Sequence, residues 1–246
     1  MKKSTFFIVG KHAVTEALKN PNRKCLKIYL TEESKKNLNR ENQEINILRN
    51  IQVIYRSKKE LDNLSGNSET SHQGLVLEIE KKEDISVKEF LNKNNTQNIN
   101  LIVLDGVTDP RNIGAIIRSA KAFGCDAVIM SKHNAPAENG NLARAAAGAL
   151  EDIPVIKVTN LKRTIETLKS NAICCIGLDA SGSNNLNRFS LEPKLAIIMG
   201  SENCGMRRLT KEACDHIVKI PMQNEMESLN VSVASAIALY ATQNNN

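Results

Sequence analysis

A chain of 246 residues with 41% hydrophobic content can bury one large core or two modest ones, as a globular protein does. No apolar run approaches the roughly 18 residues of a membrane span, and the run Phe6–Val9 is too short for a secretory signal, so the expected compartment is the cytoplasm, or an organelle matrix if a transit peptide is missing. A net charge of +6 is compatible with a polyanionic partner, whereas 3% aromatic residues and no tryptophan argue against single-strand binding by base stacking.

Residues 4–80 read as a small α/β domain. Val14, Ala17 and Leu18 fit a helix after Gly10. Leu26–Leu30 and Val53–Tyr55 fit strands, with a helix expected at Ile45–Asn50 between them. Lys58–Leu64 fits a further helix and Gly74–Ile79 a third strand. Basic residues crowd the loops, among them Lys11, Arg23, Lys24, Lys27, Arg56 and Lys58. They read either as a solvated surface or as a patch that holds a folded RNA through its phosphates. Residues 81–98 read as a linker, charged at first and then asparagine-rich, interrupted by a short helix at Val87–Leu91.

Residues 99–246 alternate strand and helix. Six apolar runs, Leu101–Leu104, Ala127–Met130, Val155–Val158, Cys174–Leu178, Leu195–Met199 and Ile217–Ile220, are expected as strands. Helical patterns separate them at Asn112–Phe123, Leu142–Ala149, Leu161–Lys169 and, weakly, Met206–Cys214, and a last one follows Ser228. This is the grammar of an α/β fold with a parallel sheet covered on both faces, whose ligands bind beyond the carboxyl ends of the strands.

Three polar stretches fall at those ends. In the first, Asp105 closes a strand, Asp109-Pro110 signals a turn, Asn112 is expected as a helix cap, and Arg118 lies among Ile116, Ile117 and Ala120. Arginine in apolar surroundings needs an anion or a carboxylate, Asp105 and Glu202 being the structural choices. The second runs from Met199 and Gly200 through Glu202 to Gly205, where glycines let a ligand approach the backbone. The third is Ile220-Pro221-Met222, a polar loop, then Ser228-Leu229-Asn230 before a helix, with Ser228 expected to cap it. A phosphate-binding loop and a dinucleotide fingerprint are both missing, since Gly106 and Gly114 have the wrong spacing. The six cysteines form no CxxC pair and have no histidine at zinc-ligand spacing, so free thiols and no metal site are expected. Cys204 has no base near it in sequence.

These stretches, Asp109-Pro110 with Asn112, Gly114 and Arg118, then Gly200, Glu202 and Gly205, then Ile220-Pro221-Met222 and Ser228-Leu229-Asn230-Val231-Ser232-Val233-Ala234, resemble in order the three motifs of the SpoU (TrmH) family of RNA ribose 2′-O-methyltransferases. The likeness spans Leu101–Tyr240. Gly10-Lys11-His12-Ala13-Val14 and His72-Gln73-Gly74 resemble more weakly the L30e-like substrate-binding domain of that family, and Met206-Arg207-Arg208-Leu209-Thr210 is similar to its bacterial large-subunit rRNA guanosine subgroup. The resemblance implies a SPOUT α/β-knot, in which the C-terminal chain threads a trefoil. Pattern reasoning alone could not give that, because knots are nearly absent from proteins.

The resemblance also implies S-adenosylmethionine as cofactor, held by Gly200, Ile220 and Leu229 with Met199 and Met222 as walls. It implies a homodimer joined at the knot, with catalytic residues contributed across the interface, and an RNA partner, 23S rRNA or a large-subunit assembly intermediate, with no DNA and no membrane. Arg118, Asn112, Glu202, Ser228 and Asn230 would be the catalytic residues. The family proposal makes Arg118 the proton acceptor, but arginine keeps its proton, so a clamp on the phosphate and the developing alkoxide is the physically easier role. The sequence departs from the family where Asn224 replaces a common glycine and where Glu202-Asn203-Cys204-Gly205 replaces a Gly-Glu-Gly turn. Two alternatives stay open: a tRNA substrate, and an RNA-binding ribosome-assembly factor without transfer activity.

Overall fold

The computed structural model describes residues 5–40, 48, 51–65, 72–133, 135–136, 140–223 and 228–243. In chain order the elements are β1 (Thr5–Val9), α1 (Lys11–Lys19), β2 (Cys25–Leu30), α2 (Glu32–Arg40), β3 (Gln52–Tyr55), α3 (Lys58–Ser65), β4 (Leu75–Glu80), α4 (Val87–Lys93), β5 (Ile99–Asp105) and α5 (Pro110–Ala122). They continue with β6 (Ala127–Ser131), α6 (Gly140–Ala145), β7 (Val155–Val158), α7 (Leu161–Ser170), β8 (Cys174–Leu178), β9 (Asn184–Asn185), β10 (Lys194–Gly200), α8 (Arg208–Ala213), β11 (His216–Lys219) and α9 (Val231–Gln243). They form two compact units: Met1–Glu83 with Pro136–Asp152, and Asp84–Ala135 with Ile153–Asn246.

The first unit is a four-stranded sheet in the order β1-β4-β2-β3, antiparallel except for the β2–β3 pair. Ile8, Val9, Val14, Ala17, Ile28, Leu30, Leu61 and Val76 form its buried interior. Two turns meet at one end. Gly10 (φ 89°) opens α1, and the Lys11 N–H donates to Oε1 of Gln73 at 2.9 Å. Gly74 (φ 74°) has no room for a side chain, because a Cβ there would stand 2.0 Å from Ser34 Oγ. The Gly10-Lys11 and His72-Gln73-Gly74 stretches, 62 residues apart, are thus parts of one structure. β1 and α2 are elements the sequence reading did not anticipate, and the expected helix at Ile45–Asn50 lies almost wholly outside the described residues.

The excursion between β6 and β7 packs in this unit through a buried charge cluster. Arg23, with a fully buried side chain, donates from Nε and Nη2 to the Glu151 carboxylate at 2.7–3.0 Å, and Lys82 and Asn20 bind the same carboxylate. Burial pushes the Glu151 carboxyl up, but the bonds and charges of Arg23, Lys82 and Asn20 outweigh it and hold the group below its usual range. Arg23 therefore leaves the expected basic surface. Lys24 and Arg56 also have carboxylate partners in Glu80 and Glu60. In the excursion, α6 is shorter than the expected Leu142–Ala149 helix, because Ala147 (φ 48°) and Gly148 (φ 88°) turn left-handed and end it.

The second unit carries seven parallel strands in the order β7-β6-β5-β10-β8-β11-β9. All six expected strands are present. Strands covered on both faces read as apolar runs, and β5, β6 and β10 are buried almost throughout. Part of the segment read as linker belongs to this core. α4 is capped by Ser86 and Glu89 in a reciprocal box and buries Val87 and Phe90 against β5, β6 and β10.

α5 begins at Pro110 under an Asp109 cap, whose side chain accepts from the Arg111 N–H at 2.9 Å; Asn112 is not the cap. Proline at the first helical position lacks an N–H and is preset for the helix, so the start falls earlier than Asn112. At α9 the cap is Asn230, not Ser228: Asn230 Oδ1 accepts from the N–H groups of Ser232 and Val233 at 3.0 and 3.4 Å. The helix packs on α5 and buries Val231, Ala234, Ala238 and Leu239, while Val233, Ile237 and Tyr240 are 39–58% exposed.

Candidate active site

The site forms at the carboxyl ends of β5, β8, β10 and β11. β10 and β5 are in register to their last residues, Gly200 beside Asp105, and the chain then leaves β10 through a tight loop. Ser201 and Gly205 exchange both backbone hydrogen bonds, at 3.1 and 2.9 Å, and project Glu202-Asn203-Cys204 between them. Gly200 has to be glycine here, since a Cβ would lie 2.1 Å from the Gly205 carbonyl carbon. Asp105, fully buried at its side chain, holds the far end of the loop.

Glu202 gathers three elements. Its Oε1 accepts from Asn112 Nδ2 on α5 at 3.1 Å, from Asn230 Nδ2 at 2.5 Å and from the Val231 N–H at 3.1 Å. Asn230 Nδ2 also donates to Asn112 Oδ1 at 3.1 Å. A carboxylate at the first N–H groups of α9 is favourably placed against the helix dipole. Asn112, Glu202 and Asn230, each proposed on sequence grounds, therefore form one connected polar cluster.

Beside this cluster lies a cleft of about 210 Å³. Met199, Gly200, Ile220, Met222 and Leu229 all line it, with Ser228 at its edge and Leu178, Val231 and Ala234 completing an apolar wall. Asp179 and Glu202 supply its carboxylates. Thioether and aliphatic walls, open backbone at Gly200, and carboxylates at the rim suit a ligand with a flat apolar part, hydroxyls and positive charge. Asn224, Glu225 and Glu227 of the loop before Ser228 lie outside the described residues.

Arg118 is not brought into the cluster. It stands exposed on α5, six residues and about 9 Å along the axis from Asn112, and makes no hydrogen bond or ion pair among the described residues. Its neighbours Ile116, Ile117 and Ala120 are buried because a helix turns 100° per residue and points them elsewhere. The expected pairing with Asp105 or Glu202 is absent. Asp105 accepts instead from the Arg207 N–H at 2.8 Å and from Arg207 Nε at 2.6 Å, and Glu202 is taken up by the two asparagines. The sequence reading missed this clamp. Its only signal was an unexplained buried aspartate at a strand end and a pair of arginines after Gly205.

A parallel α/β sheet with a polar cluster and an apolar cleft at its carboxyl ends defines a ligand-binding α/β protein of enzyme type. The chain belongs to the SpoU rRNA Methylase family, whose model matches residues 99–240. A second model, for RNA 2′-O ribose methyltransferase substrate binding, matches residues 7–85. The chain is similar to the 23S rRNA (guanosine-2′-O-)-methyltransferase RlmB of Coxiella burnetii, 38% identical over 96% of this chain and 94% of that protein. It is also 38% identical to RlmB of Neisseria meningitidis, over 96% of this chain and 94% of that protein. Its fold matches the SpoU methyltransferase AviRb from Streptomyces viridochromogenes, solved in complex with AdoMet, with a TM-score of 0.83 at 22% identity, covering 98% of this chain and 90% of that one.

Proposed function

We propose that this protein is an S-adenosylmethionine-dependent RNA ribose 2′-O-methyltransferase acting on a guanosine of 23S rRNA. The observation that carries the reading is the Asn112–Glu202–Asn230 cluster set against the apolar cleft. The likeness of the whole chain to the two RlmB proteins supports the substrate. Bound in the cleft, the cofactor supplies a methyl group already activated on a sulfonium.

The chain's task is then to place a ribose 2′-hydroxyl in line with that methyl and to ease the loss of its proton, and orientation alone can supply several kcal/mol. Asn112 and Asn230, fixed by Glu202, are placed to hold ribose oxygens. Ser228 stands at the cleft edge as a further hydroxyl contact. Arg118 retains its proton and acts as a clamp on the neighbouring phosphate and on charge developing at the 2′-oxygen. It reaches a site through a homodimer built on the exposed stripe Val233, Ile237 and Tyr240 of α9, beside α5. The C-terminal chain forms the trefoil knot of the family, the first unit holds folded rRNA, and the protein works in the cytoplasm. The absence of any helix long and apolar enough to cross a membrane among the described residues fits that placement.

The test is methyl transfer from labelled cofactor to 23S rRNA, with 2′-O-methyl sites mapped in RNA from cells with and without the gene. Gain of one methylated guanosine with the gene is expected. RNA binding without any incorporation would establish the assembly-factor reading instead, and incorporation into tRNA alone would move the substrate.

A further inference from the structure

One side chain of the cleft has no part in the roles above. Asp179 follows β8 directly and is seated by the backbone: its N–H donates to the Val218 carbonyl at 2.9 Å, and its carbonyl accepts from the Gly182 N–H at 3.0 Å. Three donors converge on a single oxygen of its carboxylate. Oδ1 accepts from the Ser181 N–H at 2.9 Å, from Ser181 Oγ at 2.6 Å and from Lys211 Nζ at 3.1 Å. Oδ2 has no partner among the described residues and faces Gly205, where a Cβ would stand 3.6 Å away. Burial pushes this carboxyl up, but the bonds from Ser181 and Lys211 more than offset it, so the group is ionised at neutral pH. The result is a rigid carboxylate with one oxygen spoken for and one aimed at the ligand space.

Resting on the proposed cofactor pocket, we infer that Asp179 is the residue that selects the cofactor's ribose, its free oxygen accepting from the vicinal 2′- and 3′-hydroxyls. The choice of ribose over the methionine ammonium follows from Lys211. Its ammonium lies 3.1 Å from the same carboxylate and already balances that charge, so a second cation beside it would be repelled, whereas neutral hydroxyl donors are not. A carboxylate just past a parallel strand is also a chemically apt diol acceptor, because it offers two lone-pair directions per oxygen and donates nothing. Lys211 and Ser181 are positioning residues in this scheme: they fix which oxygen stays free.

The experiment is calorimetric binding of S-adenosylhomocysteine and its 2′-deoxy and 3′-deoxy derivatives to the full chain and its variants. In the wild type, loss of a bound hydroxyl is expected to weaken affinity by about ten- to hundredfold, as for a hydrogen bond to a charged group. In Asp179→Ala the parent ligand is expected to bind about as weakly as the deoxy ligand binds the wild type, with little further loss on removing the hydroxyl. Asp179→Asn, which keeps the side chain's shape and the fold, is expected to show the same loss of coupling. Hydroxyl removal costing the variants as much as the wild type would overturn the assignment, as would Asp179→Asn binding the parent ligand within twofold of the wild type. A wild-type chain that takes up none of the three ligands would sink the cofactor pocket itself, and this inference with it.

Discussion

Asp105 and Arg207, 102 residues apart, are joined twice: one carboxylate oxygen takes the Arg207 backbone N–H and the other its Nε, at 2.8 and 2.6 Å. The aspartate is fully buried while the arginine side chain is 59% exposed. The pair fixes the end of β5 to the exit of the Glu202 loop, and so ties the first motif to the second. Asp105→Ala is expected to cost about 0.5–1.5 kcal/mol, the net worth of an ordinary hydrogen bond, since the exposed Arg207 side chain can turn to water, read by urea unfolding, and to weaken cofactor affinity as the loop loosens. Stability within 0.5 kcal/mol of wild type, roughly the spread of ordinary surface substitutions, would show that the clamp holds nothing.

Arg118→Ala removes an exposed side chain that contacts neither the cleft nor the cluster. Methyl transfer should be abolished while calorimetric affinity for S-adenosylmethionine stays nearly intact. Turnover surviving within about tenfold of wild type would remove Arg118 from the catalytic machinery.

Asn230 caps α9 through Oδ1 and binds Glu202 through Nδ2, and the two duties are separable. Asn230→Ala loses both and should cost about 0.5–2 kcal/mol of stability from the cap alone. Asn230→Asp keeps a capping oxygen but sets a second carboxylate against Glu202. We expect it to retain the helix by circular dichroism yet to lose cofactor affinity and activity. Equal activity in Asn230→Asp and wild type would mean that only the cap matters.

Ile237→Glu places a charge in the exposed stripe of α9. Light scattering should find wild type as a dimer and the variant as a monomer of unchanged secondary structure. A monomeric wild type would dispose of the proposed interface, and with it the route by which Arg118 reaches a site.

Glu151 sets an acid limb on stability. Its carboxyl titrates below the ordinary value near 4.5 in the folded chain, so its contribution is complete above that pH and is lost as pH falls through the lower folded value. Glu151→Gln should therefore be less stable than wild type at neutral pH, and the gap should narrow on acidification below about pH 4. Arg23→Ala leaves the buried carboxylate to Lys82 and Asn20 alone, and the loss is expected to stay below the about 3–5 kcal/mol of a buried charge left without a partner. Parallel acid-unfolding curves for wild type and Glu151→Gln would rule this limb out.

Most of the second unit was legible because its strands are covered on both faces, and such strands announce themselves as unbroken apolar runs. The cleft residues were legible only through motif resemblance, since nothing in the spacing of Met199, Ile220 and Leu229 says that they share a wall. Helix starts were misplaced where two candidate caps stood close together: Asp109 with Pro110 won over Asn112, and Asn230 over Ser228. Arg118 was misjudged because sequence neighbours on a helix are not spatial neighbours. The Asp105–Arg207 clamp and the Asp179–Lys211 pair left almost no trace, as their partners lie on other elements. α2 was missed for the opposite reason: EESKKNLNR has too few apolar residues to show a periodic stripe.

The strand order places β10 against β5, and the Asn112–Asn230 bond spans 118 residues. During synthesis at about 5–20 residues per second, Asn112 emerges roughly 6–24 s before Asn230 is made. Until β10 is made, about 90 residues after β5, β5 has β6 on one side and an open edge on the other, and the polar cluster waits about 30 residues more for Asn230. A growing chain therefore lacks the polar cluster and carries an unpaired apolar strand edge through the synthesis of β6, β7 and β8. The cluster closes only when Asn230, the latest of its three residues in the chain, has been made.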